Sequence, residues 1–159
     1  TNLAAAVALG RYFDVPAPAI VQALTDYLPA MNRVEWRKTA SNQVLLDAYN
    51  ANPTSMSLSI ENFAKWHKDG WLVLGDMFEL GEESAAEHRA IVKLVQRINM
   101  EERCILVGKH FGRTSWRGKH FPTTGDLKTY WRENGAPKDA AILLKGSRGI
   151  ALEQLLPLL

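Results

Sequence analysis

The 159-residue chain is 47% apolar and 23% charged, with a formal charge of +2. That profile suits a globular protein with one good core. The charge is small and Lys and Arg are scattered, which argues against a nucleic-acid binder.

No apolar run nears the ~20 residues of a membrane span, and the opening residues are expected to form an Ala-rich helix and not a signal peptide. The lone Cys104 sits in the apolar run Cys104–Val107 and reads as a buried strand thiol. A single cysteine allows no internal disulfide, which fits a cytoplasmic protein. Without an initiator Met, the opening reads as a piece of a longer polypeptide.

In chain order, residues 2–13 read as a helix, with Leu3, Val7, Leu9 and Phe13 among alanines. Pro16 and Pro18 interrupt it, and a second helix is expected over 19–27, ended by Pro29. Residues 30–33 are expected to form a hinge, so the expected boundary divides 1–30 from 31–159. From Val34 on, strands and helices alternate. An edge strand is expected over 34–39 and a short buried strand over 44–49. Helix 55–68, strand 71–74, helix 84–98 and strand 104–107 follow. Last come helix 126–133, strand 140–144 and helix 149–158, while residues 112–140 carry no usable motif. This alternation predicts an α/β fold with a mostly parallel sheet covered on both faces.

Ligands of such sheets bind at the carboxyl ends of the strands, and three strand ends here are polar. Residues 47–54 read Asp-Ala-Tyr-Asn-Ala-Asn-Pro-Thr. Asp47 can accept from a ribose hydroxyl or hold a metal-bound water, and Asn50 and Asn52 can donate and accept around a nucleotide. Helix capping explains the same residues. Both readings stay open. In a parent enzyme Asp47→Ala is expected to lower activity strongly with little change in stability, because a polar strand-end residue contributes little to the core.

Residues 75–81 read Gly-Asp-Met-Phe-Glu-Leu-Gly, where Asp76 can orient a base or a ligand. Glu82 and Glu83 suit a helix start. Residues 145–149 read Lys-Gly-Ser-Arg-Gly, offering two cations and a hydroxyl to a carboxylate or phosphate. This is not a Walker A loop, and no Gly-x-Gly-x-x-Gly is present. The four histidines do not stand at metal-ligand spacing, so no metal site is expected. His88 is expected at a surface or in packing, and the turn 108–112 reads as structural.

Taken together, residues 47–56, 74–82 with His88-Arg89, and 144–148 resemble the C-terminal domain of the Mur ligases. Asn32-Arg33 resembles that domain's Arg-bearing hinge, and residues 1–10 resemble the closing helices of the family's central ATPase domain. The resemblance implies a Rossmann-like three-layer domain that closes over ATP. In it, phosphoryl transfer to a carboxylate precedes attack by an amine. The implied substrates are UDP-N-acetylmuramoyl-tripeptide and D-alanyl-D-alanine, used in peptidoglycan synthesis.

Arg33 and Asp47, with Tyr49, Asn50 and Asn52 beside them, are then expected at the nucleotide. Asp76, Lys145, Ser147 and Arg148 are expected at the dipeptide. The phosphate loop and the Mg ligands would belong to the central domain, leaving this piece inactive alone. Alternatives are another ligase of the superfamily (the third-residue ligase or folylpolyglutamate synthase) or a non-catalytic nucleotide-binding or interaction module. Against the third-residue ligase, residues 75–80 lack its Asn-Pro-Arg-type motif.

Overall fold

The computed structural model describes residues 2–27 and 34–159, with only the backbone of Asn2. The chain divides into two compact units, Thr1–Ala30 and Met31–Leu159. The first contains α1 (Asn2–Tyr12) and α2 (Ala17–Thr25), which meet where Gly10 leaves room for Ile20. α2 starts earlier than expected because a proline in a helix's first turn forfeits no intrahelical hydrogen bond. None of its residues is buried. The expected stop at Pro29 and the hinge at Arg33 lie outside the described residues.

The second unit is built on a six-stranded sheet ordered β1-β2-β6-β3-β4-β5. Its strands are β1 (Glu35–Lys38), β2 (Gln43–Asp47), β3 (Trp71–Gly75), β4 (Cys104–Val107), β5 (Lys119–Phe121) and β6 (Ala141–Lys145). Only β1 runs antiparallel. The expected α/β, mostly parallel architecture is therefore present. Leu72, Leu74, Cys104, Leu106 and Leu143 enter one core, and Val73, Ile105, Val107, Ile142 and Leu144 the other. Alternation along strands covered on both sides sends successive side chains to opposite faces.

Helices α3 (Pro53–Trp66) and α4 (Ser84–Arg97) supply Met56, Ile60, Phe63, Ile91 and Val95 to the first core. Helix α5 (Thr124–Asn134) supplies Leu127 and Trp131 to the second, joined there by Leu152 and Leu155. Two of these helices start on capping boxes, Asn52 with Ser55 and Thr123 with Asp126.

One expectation is corrected. Residues 149–158 do not form one α-helix but two 3₁₀ segments, Arg148–Ile150 and Leu152–Leu158. Ala151 between them is left-handed (φ 60°), and Pro157 lacks the N–H that an α-helix needs. Leu152 and Leu155 are both buried at the three-residue spacing of a 3₁₀ turn. The motif-poor stretch 112–140 also holds a strand, β5, whose three residues are too few to show a period.

Candidate functional site

The chain enters β6 from the face of α5 but leaves β2 and β3 towards α3 and α4, so the connections change face around β6. Such a switch point opens a crevice beyond the strand carboxyl ends. Register brings the three polar ends level: Asp47 pairs with Lys145, and Lys145 with Leu74, one residue before Gly75.

Asp47 and Lys145 form a buried ion pair. Nζ lies 2.7 Å from Asp47 Oδ2 and 3.3 Å from the Asn50 carbonyl, and the lysine side chain is 1% exposed. Ser59 Oγ donates to the same Oδ2 at 3.3 Å. Among the described residues, Oδ1 accepts no hydrogen bond. Two donors thus orient the carboxylate and leave its second oxygen available. Beside it, Val34, Trp36, Leu45, Leu58 and Trp66 help line a cavity of about 450 Å³. An apolar trough with one oriented acceptor at its edge suits a ring bearing hydroxyls.

Asn52 caps α3, its Oδ1 accepting from the Ser55 N–H at 2.8 Å. The Asn50 carbonyl faces Lys145 while the residue is exposed. Arg148 is exposed and lies over the Tyr49 ring at 5.7 Å, a cation–π distance. Arg33 lies outside the described residues.

Asp76 points inward. It is 1% exposed, with Oδ2 accepting from the His110 N–H at 2.8 Å and Oδ1 from the Phe111 N–H at 2.9 Å. His88 Nε2 is 3.6 Å away. Ser147 is equally committed: its Oγ accepts from the Phe78 N–H at 2.9 Å. Of the four residues expected at the dipeptide, Arg148 alone presents an exposed polar head.

His88 is fully buried, so of the two expected places, surface or packing, it takes the second. Nδ1 donates to the Ser84 carbonyl at 2.7 Å and Nε2 accepts from the Met77 N–H at 3.1 Å, which defines the neutral tautomer. Burial pushes its pKa down, partly offset by the Ser84 carbonyl and by Asp76. His110 stacks on it with ring centroids 5.2 Å apart. Burial also pushes the Cys104 thiol up, so it stays protonated. Sequence spacing missed the His88–His110 stack and the Asp47–Lys145 pair, because each joins residues far apart in the chain. Register is the signal that finds the pair.

The sequence pattern described as Mur ligase, glutamate ligase domain, matches residues 32–148, most of the chain. The chain belongs to the Mur ligase family. Curated relatives named UDP-N-acetylmuramoyl-tripeptide–D-alanyl-D-alanine ligase include those of Bacillus subtilis (33% identical) and Escherichia coli (34% identical). The matches cover 97% and 96% of this chain but 36% and 35% of those proteins. A crystal structure of MurF from Acinetobacter baumannii matches with a TM-score of 0.78 at 28% identity, over 97% of this chain and 36% of its own. The chain thus spans about a third of the length of its relatives. The Rossmann-like fold expected of a Mur ligase C-terminal domain is the fold found.

Proposed function

We propose that this chain is the C-terminal part of an ATP-dependent ligase of peptidoglycan synthesis, working in the cytoplasm. The parent enzyme would join D-alanyl-D-alanine to UDP-N-acetylmuramoyl-tripeptide through an acyl phosphate. The family match and the names of the relatives support this reading. The observation that carries it is the row of three polar strand ends at one edge of the sheet.

In this reading residues 1–30 close the central ATPase domain and 31–159 form the domain that swings over it. ATP is a substrate that supplies the phosphoryl group, and the missing central domain holds the phosphates and Mg. This chain's Arg33, Asp47, Tyr49, Asn50 and Asn52 form one wall of the nucleotide cleft. Asp47 Oδ1 accepts from the ribose, while Asn52 holds the start of α3. The second wall faces the dipeptide with the loop of Lys145, Ser147 and Arg148, backed by Asp76. Arg148 reaches the dipeptide carboxylate as a fork. Closure dries the site and keeps water from the acyl phosphate.

The test is ADP release by the full-length parent with ATP, UDP-N-acetylmuramoyl-tripeptide and D-alanyl-D-alanine. Sustained turnover that needs all three supports the proposal, at most one equivalent of ADP per enzyme being formed without the dipeptide, and steady ADP release that the dipeptide does not accelerate overturns it. Arg148→Ala should weaken the dipeptide by about 1.5–3 kcal/mol, the range of a charged hydrogen bond, with KM for ATP unmoved. The isolated chain should show no turnover.

A further inference from the structure

We propose that Asp76 is a positioning residue that sets where Arg148 stands, by tying the exit of β6 to the exit of β4. The inference rests on the reading above, in which Arg148 meets the dipeptide carboxylate.

Asp76 is the first residue beyond β3, the strand between β6 and β4. It bonds to both neighbours. Its N–H donates to the Val107 carbonyl at 3.0 Å, extending the β3–β4 ladder. Its carbonyl accepts from the Ser147 N–H at 3.0 Å, extending the ladder to β6. The carboxylate then holds the β4 exit through the amides of His110 and Phe111. One buried residue therefore makes four hydrogen bonds, two through its backbone and two through its carboxylate, and the residue after Ser147 is Arg148. A second tether, Phe78 N–H to Ser147 Oγ, fixes the same peptide from the side.

Close approach of the backbones shows how tightly this junction is set. A Cβ on Gly108, whose φ is +125°, would overlap the Asp76 carboxylate. A Cβ on Gly146 would come within 2.8 Å of Gly75 Cα, and one on Gly149 within 2.6 Å of Phe78. Glycine at Gly108 thus lets the β4 exit fold over the carboxylate, and Gly146 lets the β6 exit lie against β3. A carboxylate suits this place because it accepts from two amides at once, whereas an Asn side chain would turn an NH₂ towards one of them. A guanidinium placed 1 Å off a ligand's fork loses much of its benefit, so the junction governs substrate affinity from a distance.

The experiment is a double-mutant cycle in the full-length parent enzyme. Asp76→Asn should raise KM for D-alanyl-D-alanine by about tenfold while KM for ATP stays within about twofold. In the Arg148→Ala background the same substitution should leave the dipeptide KM nearly unchanged. A merely structural role would lower the yield of folded enzyme and leave that split absent. Equal rises for both substrates, no rise, or a rise that persists without Arg148 overturns the inference.

Ser147→Ala carries the same cycle if Asp76→Asn does not fold. Its effect should vanish in the Arg148→Ala background, whereas a serine touching the dipeptide itself would keep it. If Arg148→Ala alone spares the dipeptide, the underlying reading fails and this inference with it. If Arg148→Ala acts and neither partner substitution does, only the inference fails.

Discussion

Asp47 and Asp76 both stand at the carboxyl end of a parallel strand, yet they are held in opposite ways. Asp47 is met by a lysine and a serine on one oxygen, and its side chain keeps 13% exposure. Asp76 spends both oxygens on backbone amides and has essentially no surface. The same residue type at equivalent places can thus be an oriented acceptor or an internal brace. What decides is the element that follows. α3 leaves β2 on its own cap, so Asp47 is free to face outward, whereas the β4 exit folds over Asp76.

The largest effect that would break this contrast is on stability. Lys145→Ala leaves the Asp47 carboxylate without its ammonium, and losing one partner of a buried pair costs about 3–5 kcal/mol. The partial exposure of Asp47 favours the lower end. Denaturant unfolding of this chain should show that loss, and a cost under about 1 kcal/mol would make the pair a surface-like contact. By the same geometry, Asp47→Ala is expected to destabilise as well as inactivate, since it strands a buried lysine. That revises the expectation, drawn from residues 47–54 alone, that stability would hardly change.

A smaller effect tests the other side. Burial holds His88 below its ordinary 6.5, against the pull of Asp76, Glu87 and the Ser84 carbonyl and with the push of His110. Below about pH 6.5 the unfolded chain takes up a proton that the folded chain refuses. The contribution of neutral His88 is therefore complete above that pH and lost as pH falls towards the folded-state value. Thermal melts should show stability declining on acidification, by at most about 1.4 kcal/mol per pH unit from this one group. His88→Gln should flatten the slope between pH 6.5 and 5. An unchanged slope would assign the acid sensitivity elsewhere.

The smallest effect separates capping from ligand binding at Asn52. Loss of the cap in Asn52→Ala should cost about 1 kcal/mol of stability. In the parent enzyme, a KM for ATP unchanged once folding is restored would make Asn52 a cap alone. A raised KM would give it a place at the nucleotide.

Much was legible in the order of residues because it follows from local periodicity. Alternating buried strands and amphipathic helices declared the α/β class, and polar residues at the ends of apolar runs marked Asp47, Asp76 and Lys145 before any fold was known. The short β5 and the 3₁₀ path of residues 148–158 were not legible. Three residues show no period, and Ala151 adopts its left-handed conformation only where Leu152 and Leu155 are drawn into the second core. The sequence by itself also proposed that His88 lies at a surface or in packing. Only the packing of α4 under the β3 exit decided that it is buried.

Which acid faces outward was likewise a tertiary decision. The sequence determined that carboxylates stand at strand ends, since an apolar strand can carry a charge only where it leaves the core. Strand order determined their partners. β6 inserts between β2 and β3, bringing Lys145 to Asp47 across 98 residues of chain and Ser147 to Asp76 beside it. No local rule encodes that insertion, because its driving force is the burial of two hydrophobic faces at once, a property of the assembled sheet.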